Sequence, residues 1–260
     1  MWKYVCESVQ GSSHLDRGQP CQDSCAVASF ESDGDNLLIL VCSDGAGSAA
    51  HAEAGSKVAC ETVVASITGT MQSGRSLTLA DRAMVIEWLM QLRGTLSAEA
   101  ARLETDVREL ACTLLVAVVG KSSALFAQIG DGAIVTSDKD SYRPVFWPQA
   151  GEYPNVTNFV TDAEFEQSLL FQRSDGRIEE LAIFSDGLER LALRYVDQTA
   201  HGPFFEPMFR SLRAAKNASD LSLGLREFLN SPRVNDRTDD DKTLILATRV
   251  GVLDDSVAAS

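Results

Sequence analysis

The chain has 260 residues, 45% of them apolar and 23% charged, the balance of a folded globular protein rather than a disordered or collagen-like one. It carries 37 acidic against 23 basic side chains, a formal net charge of −14. That excess argues against neutralising nucleic-acid phosphates or docking on an anionic bilayer, and suits divalent cations wherever carboxylates converge.

The opening segment, Met1 to His14, lacks the basic start and apolar run of a signal peptide. The longest strongly apolar run, Leu37 to Cys42, falls far short of the roughly 20 residues that span a bilayer. Cysteines stand at 6, 21, 25, 42, 60 and 112, four of them in or beside apolar segments. Cys21-x3-Cys25 has no second Cys or His pair to complete a zinc site. The cysteines read as reduced packing residues, with Cys21 the redox candidate, which points to the cytoplasm.

Leu37 to Cys42 reads as a strand ending abruptly in Ser43-Asp44-Gly45-Ala46-Gly47, a turn composition. A helix is predicted from about Ala49 to Met71 and a longer one from about Leu79 to Val107. In the longer helix Met84, Trp88, Leu92 and Leu96 recur at i+4 and make a core-facing stripe. Cys112 to Val119, Ala124 to Ile129 and Ala133 to Thr136 then read as short strands. The tight links between them predict a three-stranded antiparallel meander. Tyr142 to Arg177 carries no clear period. Glu180 to Phe184 is a strand ending in Ser185-Asp186-Gly187. A helix is predicted over Asp220 to Leu229, capped at Ser219, and Thr243 to Thr248 is the last strand, entered from Asp239-Asp240-Asp241. With no linker and no repeat, the expectation is an α+β domain over residues 1–250 followed by a frayed tail, 251–260.

One local event recurs. An apolar strand runs out and an aspartate sits at its exit beside glycine, at Asp44, Asp131 and Asp186; Asp240 stands where the last strand enters. Carboxylates gathered at one end of a sheet repel unless cations or protons compensate. Oxygen ligands without His or Cys suit Mg²⁺ or Mn²⁺. Two such ions about 3.5–4 Å apart can activate a bridging water for in-line attack on phosphorus. The residues by themselves therefore point to a binuclear metal hydrolase.

In chain order these segments resemble the metal-dependent protein phosphatases of type 2C, nearest a bacterial branch. Gly11-Ser-Ser-His14 with Gly18-Gln-Pro-Cys-Gln-Asp23 resembles the family's first motif, and Asp44-Gly45-Ala46-Gly47 its Asp-Gly-x-Gly core. Thr113 sits where the family has a Gly-Thr-Thr strand entry, and Gly130-Asp131-Gly132 resembles its Gly-Asp-Ser motif. Ser185-Asp186-Gly187 and Asp240-Asp241-Lys242-Thr243 resemble the two closing motifs. The resemblance implies an αββα sandwich, two antiparallel sheets flanked by helix pairs. It implies hydrolysis of phosphoserine and phosphothreonine in proteins by a water activated between two Mg²⁺ or Mn²⁺ ions. The expected partners are phosphorylated proteins, with the charge balance arguing against nucleic acid and membrane, and the chain is expected to be a monomer. By resemblance Asp44 would bridge both ions and the Gly45 carbonyl would bind one. Asp186 and Asp240 would complete the second, Asp23 would hold a metal-bound water, and Asp131 would belong to a looser third position. His14 or Arg17 would steady the phosphate.

The sequence departs from the family in several places. Gly18 stands where the phosphate-binding Arg is usual, Gln22 replaces a frequent Glu, Asp241 replaces Asn, and Glu189-Arg190 shifts the acidic residue after Asp186. The altered first motif and Glu189-Arg190 leave room for a second reading, a phosphoprotein-sensing module with little turnover; a third keeps the metal site and takes a small phosphate ester as substrate. A basic stretch over 194–217, with Arg194, His201, Arg210, Arg213 and Lys216, reads as a solvated face or as contact for an acidic phosphorylated partner.

Overall fold

Strands that are apolar at every residue need cover on both faces, and here each sheet has another sheet on one side and helices on the other. The computed structural model describes residues 1–32, 34–137, 141–149 and 157–250; the expected tail over 251–260 lies outside them. In chain order the first half holds β1 (Trp2–Val9), α1 (Ser12–Asp16), β2 (Ser24–Ser32), β3 (Asp35–Ser43), α2 (Ala52–Gln72), α3 (Arg82–Arg102), β4 (Leu114–Val119) and β5 (Ser123–Ile129). Then come β6 (Ala133–Ser137), β7 (Tyr142–Pro144), α4 (Phe165–Ser168), β8 (Leu170–Asp175), β9 (Glu180–Phe184) and α5 (Glu189–Ala192). The chain continues through β10 (Leu193–Arg194), β11 (Thr199–Ala200), α6 (Gly202–Ala214), α7 (Ser222–Leu229), α8 (Pro232–Asn235) and β12 (Lys242–Arg249).

Two five-stranded sheets, β1-β12-β9-β6-β7 and β2-β3-β4-β5-β8, are antiparallel throughout. Side chains alternate along each strand, so β3 sends Leu38, Leu40 and Cys42 to the inter-sheet layer, where they meet Phe126, Ile183 and Ile245. Its other face, with Ile39 and Val41, packs under α2 and α3. On the far sheet Phe184, Leu244 and Leu246 turn outward against Phe205 and Phe209 of α6 and Leu229 of α7. This is the αββα sandwich.

The predicted stripe of Met84, Trp88, Leu92 and Leu96 is buried, each large side chain contributing roughly 1.5–3 kcal/mol. Trp88 Nε1 also donates to Thr70 Oγ1 at 2.9 Å and ties α3 to α2. The helix is shorter than predicted. Asp81 caps it by accepting from Met84 N–H at 2.9 Å, and tight 3-10 turns over Leu77–Leu79 and Val107–Leu110 flank it.

Two other expectations are corrected. β4 and β5 pair as predicted, but β6 does not continue a meander: it pairs with β9 and β7 in the other sheet. Gly130 and Gly132 both adopt positive φ, +94° and +79°, and their backbone swings the chain across the sandwich at Asp131. Ser219 does not cap a helix. It sits inside a 3-10 turn, Ala218–Leu221, and α7 starts at Ser222 without a side-chain cap.

Candidate metal centre

The register places the strand ends that carry the aspartates at one end of the sandwich. Ser24 lies opposite Ser43, Leu114 opposite Ile129, and Ala133 and Leu244 both face Phe184. Asp23 therefore precedes β2 beside the exit of β3 at Asp44. Asp131 occupies the crossover between sheets, and Asp186 leaves β9 next to Asp240 at the entry of β12. The strand-exit aspartates read from the sequence are brought together from both sheets.

Close approach of backbone holds these turns in place. A Cβ on Gly187 would overlap the Asp241 carbonyl, and one on Gly11 would overlap the Asp240 backbone, so the turn after β9 and the start of α1 can reach the entry of β12 only through glycine. Thr113 clamps the core motif, its N–H donating to the Asp44 carbonyl at 2.8 Å and its Oγ1 accepting from Asp44 N–H at 3.0 Å. Ser43 Oγ donates to the Thr113 carbonyl at 2.6 Å.

Asp44 is central, its carboxyl within hydrogen-bonding reach of both Asp23 and Asp186. Burial, reinforced by the charges of Asp23, Asp186 and Asp131, pushes Asp44 well above the ordinary carboxylate range. Burial likewise pushes Asp23 up to about 7 and Asp186 up to about 8, and raises Asp131. Asp23 Oδ2 accepts from Ser185 Oγ at 2.6 Å and Thr243 Oγ1 at 2.8 Å, which partly offsets its desolvation. Asp131 Oδ2 accepts from Thr157 Oγ1 at 2.7 Å.

As the side chains stand, no group of three or more Cys, His, Asp or Glu among the described residues closes a cage around a metal. The donor set nonetheless fits hard cations. Asp23 Oδ1 and Asp186 Oδ1 are buried without a hydrogen-bond donor among the described residues, and all the converging side-chain ligands are oxygen, the chemistry of Mg²⁺ and Mn²⁺.

His14 and Arg17 part company. His14 is buried at the site, its Nδ1 2.8 Å from Asp241 Oδ2 although not aligned as a hydrogen bond. Arg17 is exposed at the end of α1. Asp241 spends its charge on the first motif, its two oxygens accepting from Gly11 N–H at 2.6 Å and Gln22 N–H at 2.5 Å. Glu189 accepts from Gly132 N–H at 2.8 Å and from the Tyr195 hydroxyl, so it braces the crossover. Sequence reasoning passed over Ser185 and Thr243 as partners of Asp23; the only signal for them was their place in the two closing motifs. Cys21 is half-buried and its thiol is pushed above the ordinary range by burial and by Asp23 and Asp241, the opposite of what a reactive thiolate needs.

Known proteins resemble the chain in sequence and in fold. The chain is 39% identical over 249 residues to serine/threonine-protein phosphatase 3 of Escherichia coli (strain K12), covering 95% of this chain and 98% of that one. A crystal structure of a bacterial serine phosphatase superposes with a TM-score of 0.58 at 16% identity, over 96% of this chain and 99% of its own. The catalytic domain of the serine/threonine protein phosphatase PstP, in complex with two manganese ions, gives 0.60 at 15% identity, over 96% and 99%. Residues 10–230 match the model of the family described as protein phosphatase 2C, and the chain belongs to that family.

Proposed function

We propose that this protein hydrolyses phosphoserine and phosphothreonine in other proteins, using two divalent cations, Mg²⁺ or Mn²⁺, held by the aspartate cluster. The observation that carries the reading is the position of Asp44 within reach of both Asp23 and Asp186, with a buried oxygen on each neighbour that accepts from no donor among the described residues. Asp44 would be the ligand shared between the cations, with the Gly45 carbonyl beside it. Asp186 and Asp240 would hold the second ion, and Asp131 a third position. Bound there, the cations neutralise the acids, polarise the phosphoryl group and make water a stronger acid. Asp23, held by the hydroxyls of Ser185 and Thr243, would orient a water there. His14, buried beside Asp241, is better placed than the exposed Arg17 to steady the phosphoryl oxygens. The activity named for the Escherichia coli relative and the manganese ions of PstP support the same reading.

The test is hydrolysis of a phosphothreonine peptide by chelator-stripped protein, titrated with Mn²⁺ and Mg²⁺, beside Asp186→Asn. The expected outcome is metal-dependent turnover that falls about a hundredfold or more in the variant, roughly 2.7 kcal/mol of transition-state stabilisation. Wild-type rates in the variant would remove the assignment. Tight peptide binding without turnover at millimolar Mn²⁺ would make the protein a sensor instead.

A further inference from the structure

Away from the aspartates, on the outer face of the β1-β12-β9-β6-β7 sheet, α6 and α7 part over a cleft of about 750 Å³, within the roughly 300–1,000 Å³ of small-molecule sites. Its floor is Val5 and Leu246, outward-facing residues of β1 and β12, and its walls include Phe204 and Phe228. The polar lining has one sign. Arg190, Arg194, His201, Arg233 and Arg237 border the cleft, and among the described residues no Asp or Glu does, in a chain with 37 acidic residues. Arg194 is paired with Asp197 at 3.1 Å. The side chains of Arg190, Arg233 and Arg237 have no hydrogen-bond or ion-pair partner among the described residues.

A second observation concerns the space itself. Gly224 stands inside α7, where glycine weakens a helix, yet a Cβ there would meet nothing within 4 Å. The position is exposed and lines the cleft, so there is room at its edge for a larger side chain.

We propose that this cleft binds a small amphipathic anion, with an apolar body between α6 and α7 and an anionic head against Arg190, Arg233 and Arg237. Burial of the chain supplies affinity and the arginines supply orientation, since guanidinium groups match carboxylate and phosphate oxygens. A cavity that reaches the sheet beneath two helices suits such a molecule better than the flat face of a partner protein.

The probe is decanoate, titrated into the whole chain by calorimetry. Saturable binding with a Kd below about 100 µM is expected, with decanol (no charge) and acetate (no apolar body) each weaker by about tenfold or more. Gly224→Leu, which fills the cleft and strengthens the helix, abolishes binding with Tm unchanged or raised. The double variant Arg233→Gln, Arg237→Gln weakens decanoate about tenfold and leaves decanol unchanged. Any of four results overturns the proposal: no saturable decanoate binding below about 1 mM, decanol binding as tightly as decanoate, undiminished binding by Gly224→Leu, or a dimer that Gly224→Leu dissociates, which would give the cleft to a second copy.

Discussion

Two regions of this molecule gather charge of one sign, and they are built in opposite ways. At the end of the sandwich the turns carrying Asp23, Asp44, Asp131, Asp186 and Asp240 are pinned by backbone contacts through glycine and by the hydroxyls of Thr113, Ser185 and Thr243. On the outer face, long arginine side chains border a cleft that Gly224 also lines, with open space around it. The first arrangement fixes short ligands tightly and leaves oxygens free to accept, which suits a small hard cation. The second leaves flexible cations around apolar surface, which suits a larger, partly apolar anion. In both, the fold holds like charges together.

Removing the clamp at the acidic end puts that contrast under the greatest strain. Asp241→Ala leaves Gly11 N–H and Gln22 N–H without their acceptor and frees His14. Unfolding in urea is expected to show a loss of about 2–4 kcal/mol, from two buried donors left unsatisfied. A loss below about 0.5 kcal/mol would mean that the first motif holds its place without Asp241.

The open cleft responds in the other direction. Gly224→Ala adds a methyl group in open space on a helix, so stability rises by about 1 kcal/mol, again measured in urea. Phosphatase activity stays at the wild-type level, because no residue lining the cleft belongs to the aspartate cluster. Destabilisation by this change would show that the glycine is needed for the backbone of α7.

Much of this was readable from residues alone, for physical reasons. β3, β4, β9 and β12 are buried on both faces, so they appear as unbroken apolar runs, and the aspartates at their ends stand out against glycine. The crossover at Asp131 was misread because Gly130-Asp131-Gly132 has the composition of a hairpin turn, whereas β6 finds its partners, β9 and β7, in the other sheet. β8 went unseen because it is an edge strand with half its residues exposed, and no alternation marks it. The basic stretch over 194–217 divided in a way spacing does not reveal. Arg210 and Arg213 pair with Glu206 and Glu180, whereas Arg194 and His201 join arginines from α5, α8 and the turn after α8 at the cleft.

The central claim is that Asp44 is the shared ligand of a two-cation centre. Calorimetric titration of Mn²⁺ into chelator-stripped protein tests it most directly, with wild type, Asp44→Asn and Asp131→Asn compared at one pH. The account predicts about two tight ions in the wild type, both lost or weakened about a hundredfold in Asp44→Asn, and both retained in Asp131→Asn. Wild-type Mn²⁺ binding by Asp44→Asn would contradict it.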